Sequence, residues 1–92
     1  MVGLELRIRI KPDKRSEFLQ MREMLQGKVR PDGCIEQKIY EEVDGSNRFL
    51  WSERWQEKDP LDEYMKTDDF RMLLGAVDVL GELEDMKTVE IH

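Results

Sequence analysis

The first ten residues alternate between apolar and polar side chains, and this pattern constrains the fold more than any other part of the sequence. The apolar positions are Val2, Leu4, Leu6, Ile8 and Ile10. The positions between them carry Gly3, Glu5, Arg7 and Arg9. Because successive side chains of a β-strand point to opposite faces, this segment is predicted to be a strand with one face in the core. Such a strand needs neighbouring strands and a second layer that covers its apolar face.

A helix is predicted after this strand. Pro12 presets the backbone angle of a first helical turn. Phe18, Met21 and Leu25 then recur at the spacing of one helix face, with Met24 beside them, and the helix is expected to end near Gly27.

Strand and helix signals continue in a definite order along the rest of the chain. The predicted elements are a strand at 34–43, the turn Asp44-Gly45-Ser46, a strand at 47–56, a short helix opened by Asp59 and Pro60, a helix capped by Thr67 that ends near Gly81, and a strand at 86–91. The order β-α-β-β-α-α-β predicts an α+β fold of the ferredoxin-like, split β-α-β kind. A four-stranded antiparallel sheet covered by helices on one face, forming a single domain over residues 1–92, is therefore expected.

Composition limits the partners of this domain. Hydrophobic and charged residues each make up 39% of the 92 residues, so the core is small and oligomerisation would hide more apolar surface. The net charge of −6 disfavours nucleic acid and acidic membrane surfaces as partners. The single cysteine, Cys34, suits a reducing compartment, and neither a secretory signal nor a membrane-spanning run is apparent. A cytoplasmic location is therefore predicted.

The two faces of the third predicted strand differ in chemistry. One face carries Asn47, Phe49, Trp51, Glu53 and Trp55 and is expected to meet the helices. The opposite sheet face would collect Glu5, Arg7, Arg9, Glu36, Lys38, Tyr40, Arg48, Leu50 and Arg54. This second face is either solvated or paired with a second copy of the chain, with Tyr40 and Leu50 as apolar contacts.

Asn47 and Glu53 are polar residues in an otherwise aromatic layer. An unpaired polar group in such a layer costs about 1–3 kcal/mol, so both side chains need partners. In one interpretation Glu53 pairs with a basic residue or lies at a wet edge, and Asn47 continues the hairpin turn. In the other, the two residues line an apolar pocket with a few polar groups, as is usual for ligand sites.

Short motifs spread over the chain are similar to those of a known family. They are Lys11-Pro12-Asp13-Lys14, Gly33-Cys34, Tyr40-Glu41, Asn47-x-Phe49-x-Trp51-x-Glu53-x-Trp55, Leu61 and Phe70-x-x-Leu73-Leu74. Together they resemble the antibiotic biosynthesis monooxygenase domain, whose members pair through their sheets into a dimeric α+β barrel. The resemblance implies a homodimer through the sheet face.

The resemblance also implies an activity and a set of site residues. Family members include monooxygenases that need no cofactor or metal and oxidise quinols or polyketide-like phenols with O2. The implied catalytic residues are Asn47, Trp51 and Arg71. The implied substrate-binding residues are Phe49, Glu53, Trp55, Tyr64, Met65 and Phe70.

The chain departs from the family pattern where relatives carry histidines. Tyr64 and Asp69 stand at those positions, and Glu57 lies near the place of a pocket tyrosine. Tyr64 could replace a histidine as hydrogen-bond partner, or Glu53 could act as base. A haem-degrading role, which uses a helix histidine, is not supported because the only histidine is His92. The alternatives are a non-catalytic small-molecule binding or stress-related module, and an isomerase or decarboxylase.

Overall fold

The computed structural model describes residues 1–26 and 31–91, without the side chains of residues 25 and 26. Its elements are β1 (Val2–Ile10), a 3-10 turn (Pro12–Lys14), α1 (Arg15–Gln26), β2 (Cys34–Glu41), β3 (Arg48–Trp55), α2 (Lys58–Tyr64), α3 (Asp68–Leu80) and β4 (Gly81–Glu90). The four strands form one antiparallel sheet in the order β2-β3-β1-β4. The predicted element order and the ferredoxin-like α+β class are confirmed.

The helices cover one face of the sheet, and the alternation of β1 and β3 decides which face. Leu4, Leu6 and Ile8 are fully buried on the helix side, and their β3 partners in the register are Glu53, Trp51 and Phe49. The core also contains Ile10, Phe18, Trp55, Leu61, Phe70, Leu73 and Val77. The expected meeting of the aromatic face with the helices is therefore confirmed.

The first helix buries the residues expected of it only in part. Phe18 is fully buried and Met21 packs against the core, whereas Met24 is exposed. The predicted contact of Leu25 and the predicted end near Gly27 lie outside the described side chains and residues.

Several predicted boundaries were wrong. The second strand stops at Glu41 rather than residue 43, and the third spans Arg48–Trp55 rather than 47–56. The short helix begins at Lys58 with Glu57 as its N-cap, so Asp59 is not the cap and Pro60 lies inside the first turn. There a proline is tolerated because first-turn N–H groups have no helical acceptor. Thr67 does cap α3, since its Oγ1 accepts from the Phe70 N–H at 3.3 Å.

The last strand is much longer than predicted, because β4 begins at Gly81 directly after α3. Its first half is acidic and lacks apolar alternation, but its backbone pairs with β1. Two ion pairs also join it to neighbouring strands, Arg9 to Glu82 at 3.1 Å and Arg48 to Glu84 at 3.0 Å. The register with β1 shifts between Arg7 and Ile8, which leaves Glu84 as the extra residue of a bulge.

The face of the sheet away from the helices is open. In the register, Tyr40 lies opposite Leu50, and Leu50 lies opposite Arg7. Arg9 and Arg48 also lie opposite each other on this face. The mixed charged and apolar set predicted for it is confirmed, and Glu36 pairs with Lys38 of its own strand at 3.5 Å.

Candidate functional site

The side chain of Glu53 lies enclosed between the sheet and the helices. It is 1% exposed and is the buried charged residue among the described parts of the chain. Trp51 Nε1 and Gln37 Nε2 donate to its Oε2 at 3.0 and 2.9 Å. Trp55 Nε1 donates to its Oε1 at 2.9 Å. Three donors around one carboxyl group match the ionised form, which only accepts hydrogen bonds.

The backbone pattern of two strands brings these four side chains together. Trp51, Glu53 and Trp55 alternate along β3 and therefore share its helix side. Gln37 lies opposite Glu53 in the β2–β3 register and points to the same side. The alternation along β3 and the register of the β2–β3 pair thus bring all four side chains together.

The partners of Glu53 differ from those expected from the sequence. Neither a basic residue nor a wet edge satisfies this carboxylate; neutral indole and amide groups do. Because both oxygens are occupied and the side chain is almost fully buried, Glu53 reaches a ligand only if an indole moves away. The network holds the two indoles of Trp51 and Trp55 in fixed positions around the carboxylate.

Aromatic rings extend this network toward the helices. The ring of Tyr64 lies 5.2 Å from that of Trp55 and 5.4 Å from that of Phe70, both between centroids. Burial, and then the negative charge of Glu53, raise the pKa of Tyr64 above its ordinary value. Its hydroxyl is therefore protonated at neutral pH and able to donate a hydrogen bond. Met65 is partly buried against the same core.

Asn47 lies in a second polar cluster near the start of β3. It precedes β3 with a φ of +57°, so the predicted start of the strand at residue 47 was wrong, but its side chain still meets Arg15 of α1 on the helix side of the sheet, where Phe49 lies. Its Oδ1 accepts from Arg15 Nη1 at 3.0 Å. Arg15 also holds Glu41 through both of its terminal nitrogens, with Nη2 to Oε1 at 2.7 Å. This cluster joins α1, the end of β2 and the loop before β3.

Charge and stacking fix this second cluster. The guanidinium of Arg15 lies 5.6 Å from the centre of the Phe49 ring, and that ring packs on Phe18 at 4.7 Å. Hydrogen bonding to Arg15 lowers the pKa of Glu41, and the same bond raises the pKa of Arg15. Both groups therefore stay ionised at neutral pH.

The comparisons with known proteins agree with this architecture. A family model described as antibiotic biosynthesis monooxygenase matches residues 1–73. The chain belongs to this family. The predicted family is thereby confirmed over most of the chain, including β1, β3 and the aromatic cluster around Glu53.

Two curated relatives illustrate the range of similarity. The "uncharacterized protein sll1783" of Synechocystis sp. is 30% identical over 86 residues, which cover 91% of this chain and 58% of that protein. The chain thus spans little more than half the length of this relative. The "putative monooxygenase YcnE" of Bacillus subtilis is 28% identical over 72 residues, 77% of this chain and 76% of that protein.

Solved structures share the fold at lower identity. A "putative antibiotic biosynthesis monooxygenase" from Deinococcus radiodurans superposes with a TM-score of 0.85 at 17% identity, covering 100% of this chain and 93% of that chain. A conserved protein from Methanosarcina mazei gives 0.82 at 18% identity, covering 99% and 92%. These likenesses establish the ferredoxin-like fold of the family.

The structure does not bring Arg71 into either cluster. Its side chain is 74% exposed on α3 and pairs with Asp68 of the same helix at 3.7 Å. Of the three residues that the resemblance to the antibiotic biosynthesis monooxygenases marks as catalytic, Trp51 lies in the Glu53 network and Asn47 in the Arg15 cluster. The catalytic role of all three stays a prediction.

Sequence reasoning missed two residues that complete these clusters. Gln37 could have been found by pairing the predicted hairpin around Asp44-Gly45, because that register sets it opposite Glu53. Arg15 gave no such signal, since its contact with Asn47 spans 32 positions and depends on how α1 packs on the sheet.

The described residues contain a cavity beside the Arg48–Glu84 ion pair. It has a volume of about 340 Å³, and it is lined by Arg7, Ile8, Glu42, Arg48, Phe49 and Glu84. Within residues 1–26 and 31–91 no group of three His, Cys, Asp or Glu side chains could hold a metal ion. None of the helices there has the length and apolar character needed to cross a membrane.

Proposed function

We propose that this member of the antibiotic biosynthesis monooxygenase family is a cofactor-independent monooxygenase that oxidises a quinol-like or phenolic aromatic compound with O2. The proposal rests on one observation, the layer formed by the aromatic side chains Trp51, Trp55, Tyr64 and Phe70. The Glu53 carboxylate enclosed in this layer is already hydrogen-bonded by donors of the protein itself. Flat aromatic walls with few free polar groups suit a planar aromatic ligand.

The proposed reaction needs no electron donor besides the substrate. Loss of a proton from the hydroxyaromatic gives an electron-rich anion, which passes one electron to O2. The resulting radical pair combines into a C–O bond, and the peroxide then breaks its O–O bond. Counted from the keto tautomer of the hydroxyaromatic, as in an anthrone, a ring CH2 becomes C=O, and the second oxygen atom leaves as water. The CH2 carbon supplies all four electrons that O2 takes up.

Three residues support this step in the proposal. The Asn47 NH2 donates to the substrate oxygen that carries the developing negative charge. The indole of Trp51, held by Glu53, forms a flat wall, and the neutral Tyr64 hydroxyl is a second donor. The proposal assigns no imidazole base, so it applies to a substrate that is acidic enough to ionise without one.

Oxygen uptake with a panel of anthrones, quinols and flavonols tests the proposal. We expect uptake that rises with pH as each substrate ionises, with one atom of 18O2 in the product and one in water. Asn47→Gly is the informative variant, because glycine tolerates the positive φ at this position. We expect it to lower kcat by about a hundredfold, while Lys66→Met, at an exposed position, leaves the rate unchanged.

Autoxidation must be separated from catalysis in this assay. Released hydrogen peroxide, measured with catalase, reports autoxidation, whereas the proposed reaction forms water. Uptake that is equal with and without protein for every compound would contradict the enzyme proposal.

A second candidate function, a non-catalytic binding module, is favoured by two observations. Tyr64 and Asp69 stand at the positions where the family resemblance implies histidine, and Glu53 is fully occupied by internal donors. Tight binding of the same aromatics without oxygen uptake would select this function.

The assembly and location that we propose follow from the open sheet face and the cysteine content. Two copies pair through this face, with Tyr40 and Leu50 among the contacts. The single Cys34 agrees with a reducing, cytoplasmic compartment.

A further inference from the structure

The geometry points to Arg15 as a positioning residue that turns the Asn47 amide so that its NH2, and not its oxygen, meets the ligand. The site would then select ligands with an acceptor oxygen, a carbonyl or a phenolate, at this end. This inference rests on the proposed function and names the chemistry that its pocket recognises.

The orientation of the Asn47 amide follows from the chemistry of its partner. A guanidinium group has only donors, so the atom of Asn47 at 3.0 Å from Arg15 Nη1 must be the amide oxygen. The NH2 group therefore points away from Arg15. An asparagine without such a neighbour could present either end to a ligand.

The backbone of Asn47 is held as well. Its main-chain oxygen accepts from the Ile10 N–H at 2.9 Å, which ties the residue to the end of β1. Both oxygens of Asn47 are thus occupied, whereas its side-chain NH2 has no acceptor among the described residues. This NH2 is not buried, so a ligand oxygen that reaches it would replace solvent as its acceptor.

Arg15 itself has little freedom. It binds Glu41 through both terminal nitrogens, and its planar group lies over the Phe49 ring. An arginine held by two such hydrogen bonds keeps its guanidinium plane in one orientation, whereas the ammonium group of a lysine is a point charge without a fixed direction. The Arg15–Glu41 pair therefore fixes Asn47 before any ligand arrives.

Binding of 1-tetralone and tetralin tests the inference without turnover, because the two probes differ only in one carbonyl oxygen. Asn47 is the only asparagine of the chain, so labelling with 15N-asparagine gives one side-chain amide signal. We expect tetralone to shift this signal and tetralin to leave it in place. Affinities come from calorimetry on the full chain.

Variants of Arg15 separate positioning from structural damage. Arg15→Met is expected to weaken tetralone binding about tenfold, or about 1.4 kcal/mol, and to leave tetralin binding unchanged. Arg15→Lys, which still only donates, should restore part of the preference. The control Lys11→Met removes a neighbouring exposed charge and should bind both probes like the parent protein.

The outcomes are distinct. A tenfold loss confined to tetralone, together with the Asn47 shift, supports the inference. Tetralone binding without an Asn47 shift, or an equal loss for both probes in Arg15→Met, overturns it and leaves the proposed aromatic pocket standing. Failure of both probes to bind the parent protein overturns the aromatic pocket and this inference together.

Discussion

At the scale of single residues, Glu53 shows how a buried charge can be kept without a counter-ion. Two indole N–H groups and one amide donate to its oxygens and so offset the cost of removing the carboxylate from water. These donors are uncharged, so they do not neutralise the carboxylate, but their hydrogen bonds hold it in one position. Removing the carboxylate should therefore lower the stability of the protein, because its three donors would lose their acceptor.

Glu53→Leu is expected to lower the free energy of unfolding by about 3 kcal/mol, since it leaves two buried indole donors and the partly buried Gln37 amide unpaired. Glu53→Gln keeps one acceptor oxygen and should lose less. Urea unfolding followed by tryptophan fluorescence, at one fixed protein concentration, measures both. Glu63→Leu on α2, at a side chain 76% exposed, is the control and should change stability by less than about 0.5 kcal/mol. Equal midpoints for Glu53→Leu and the parent would refute the role assigned to this network.

At the scale of elements, the junction of α3 and β4 depends on the absence of a side chain. The helix ends at Leu80 and the strand begins at Gly81 without a connecting loop. A Cβ on Gly81 would lie 2.0 Å from the backbone oxygen of Arg9 and 2.8 Å from the Cα of Ile10. These are backbone atoms of a central strand, so they have little freedom to move aside.

Gly81→Ala is therefore expected to destabilise the protein by about 3 kcal/mol. The matched control is Gly75→Ala within α3, where a Cβ meets nothing within 4 Å. That substitution should stabilise the helix by about 0.5–1 kcal/mol, because alanine loses less backbone entropy. Thermal unfolding by circular dichroism compares the two. A Gly81→Ala midpoint no lower than that of Gly75→Ala would contradict the close approach.

At the scale of the whole molecule, the helices cover only one face of the sheet. The other face keeps Tyr40 half exposed beside Leu50, among charges that partly pair within the chain. A chain of 92 residues buries a modest core, so covering this face with a second copy would add apolar area.

Light scattering is expected to give twice the chain mass of 11.0 kDa at micromolar concentration. Leu50→Asp should shift the protein toward the monomer, because it buries a charge at the proposed contact. Met72→Asp makes the same kind of change on the exposed side of α3 and should leave the dimer intact. A molar mass of one chain for the parent protein would contradict the proposed dimer.

The sequence by itself determined the order of the elements and the faces of the strands. Alternation with period two placed Leu4, Leu6 and Ile8 inside with Trp51 and Glu53, because a strand has only two faces. Local turn chemistry at Asp44-Gly45 and the Thr67 cap were also readable, since each acts over a few neighbouring residues.

Tertiary structure alone decided the contacts between elements that are distant in the chain. The pairing of Arg15 with Asn47, the exposure of Arg71 and the strand formed by the acidic residues after Gly81 depend on how helices dock and registers shift. Periodicity gives the direction of a side chain from its own element. The partner it meets is set by the packing of another element, which no local pattern encodes.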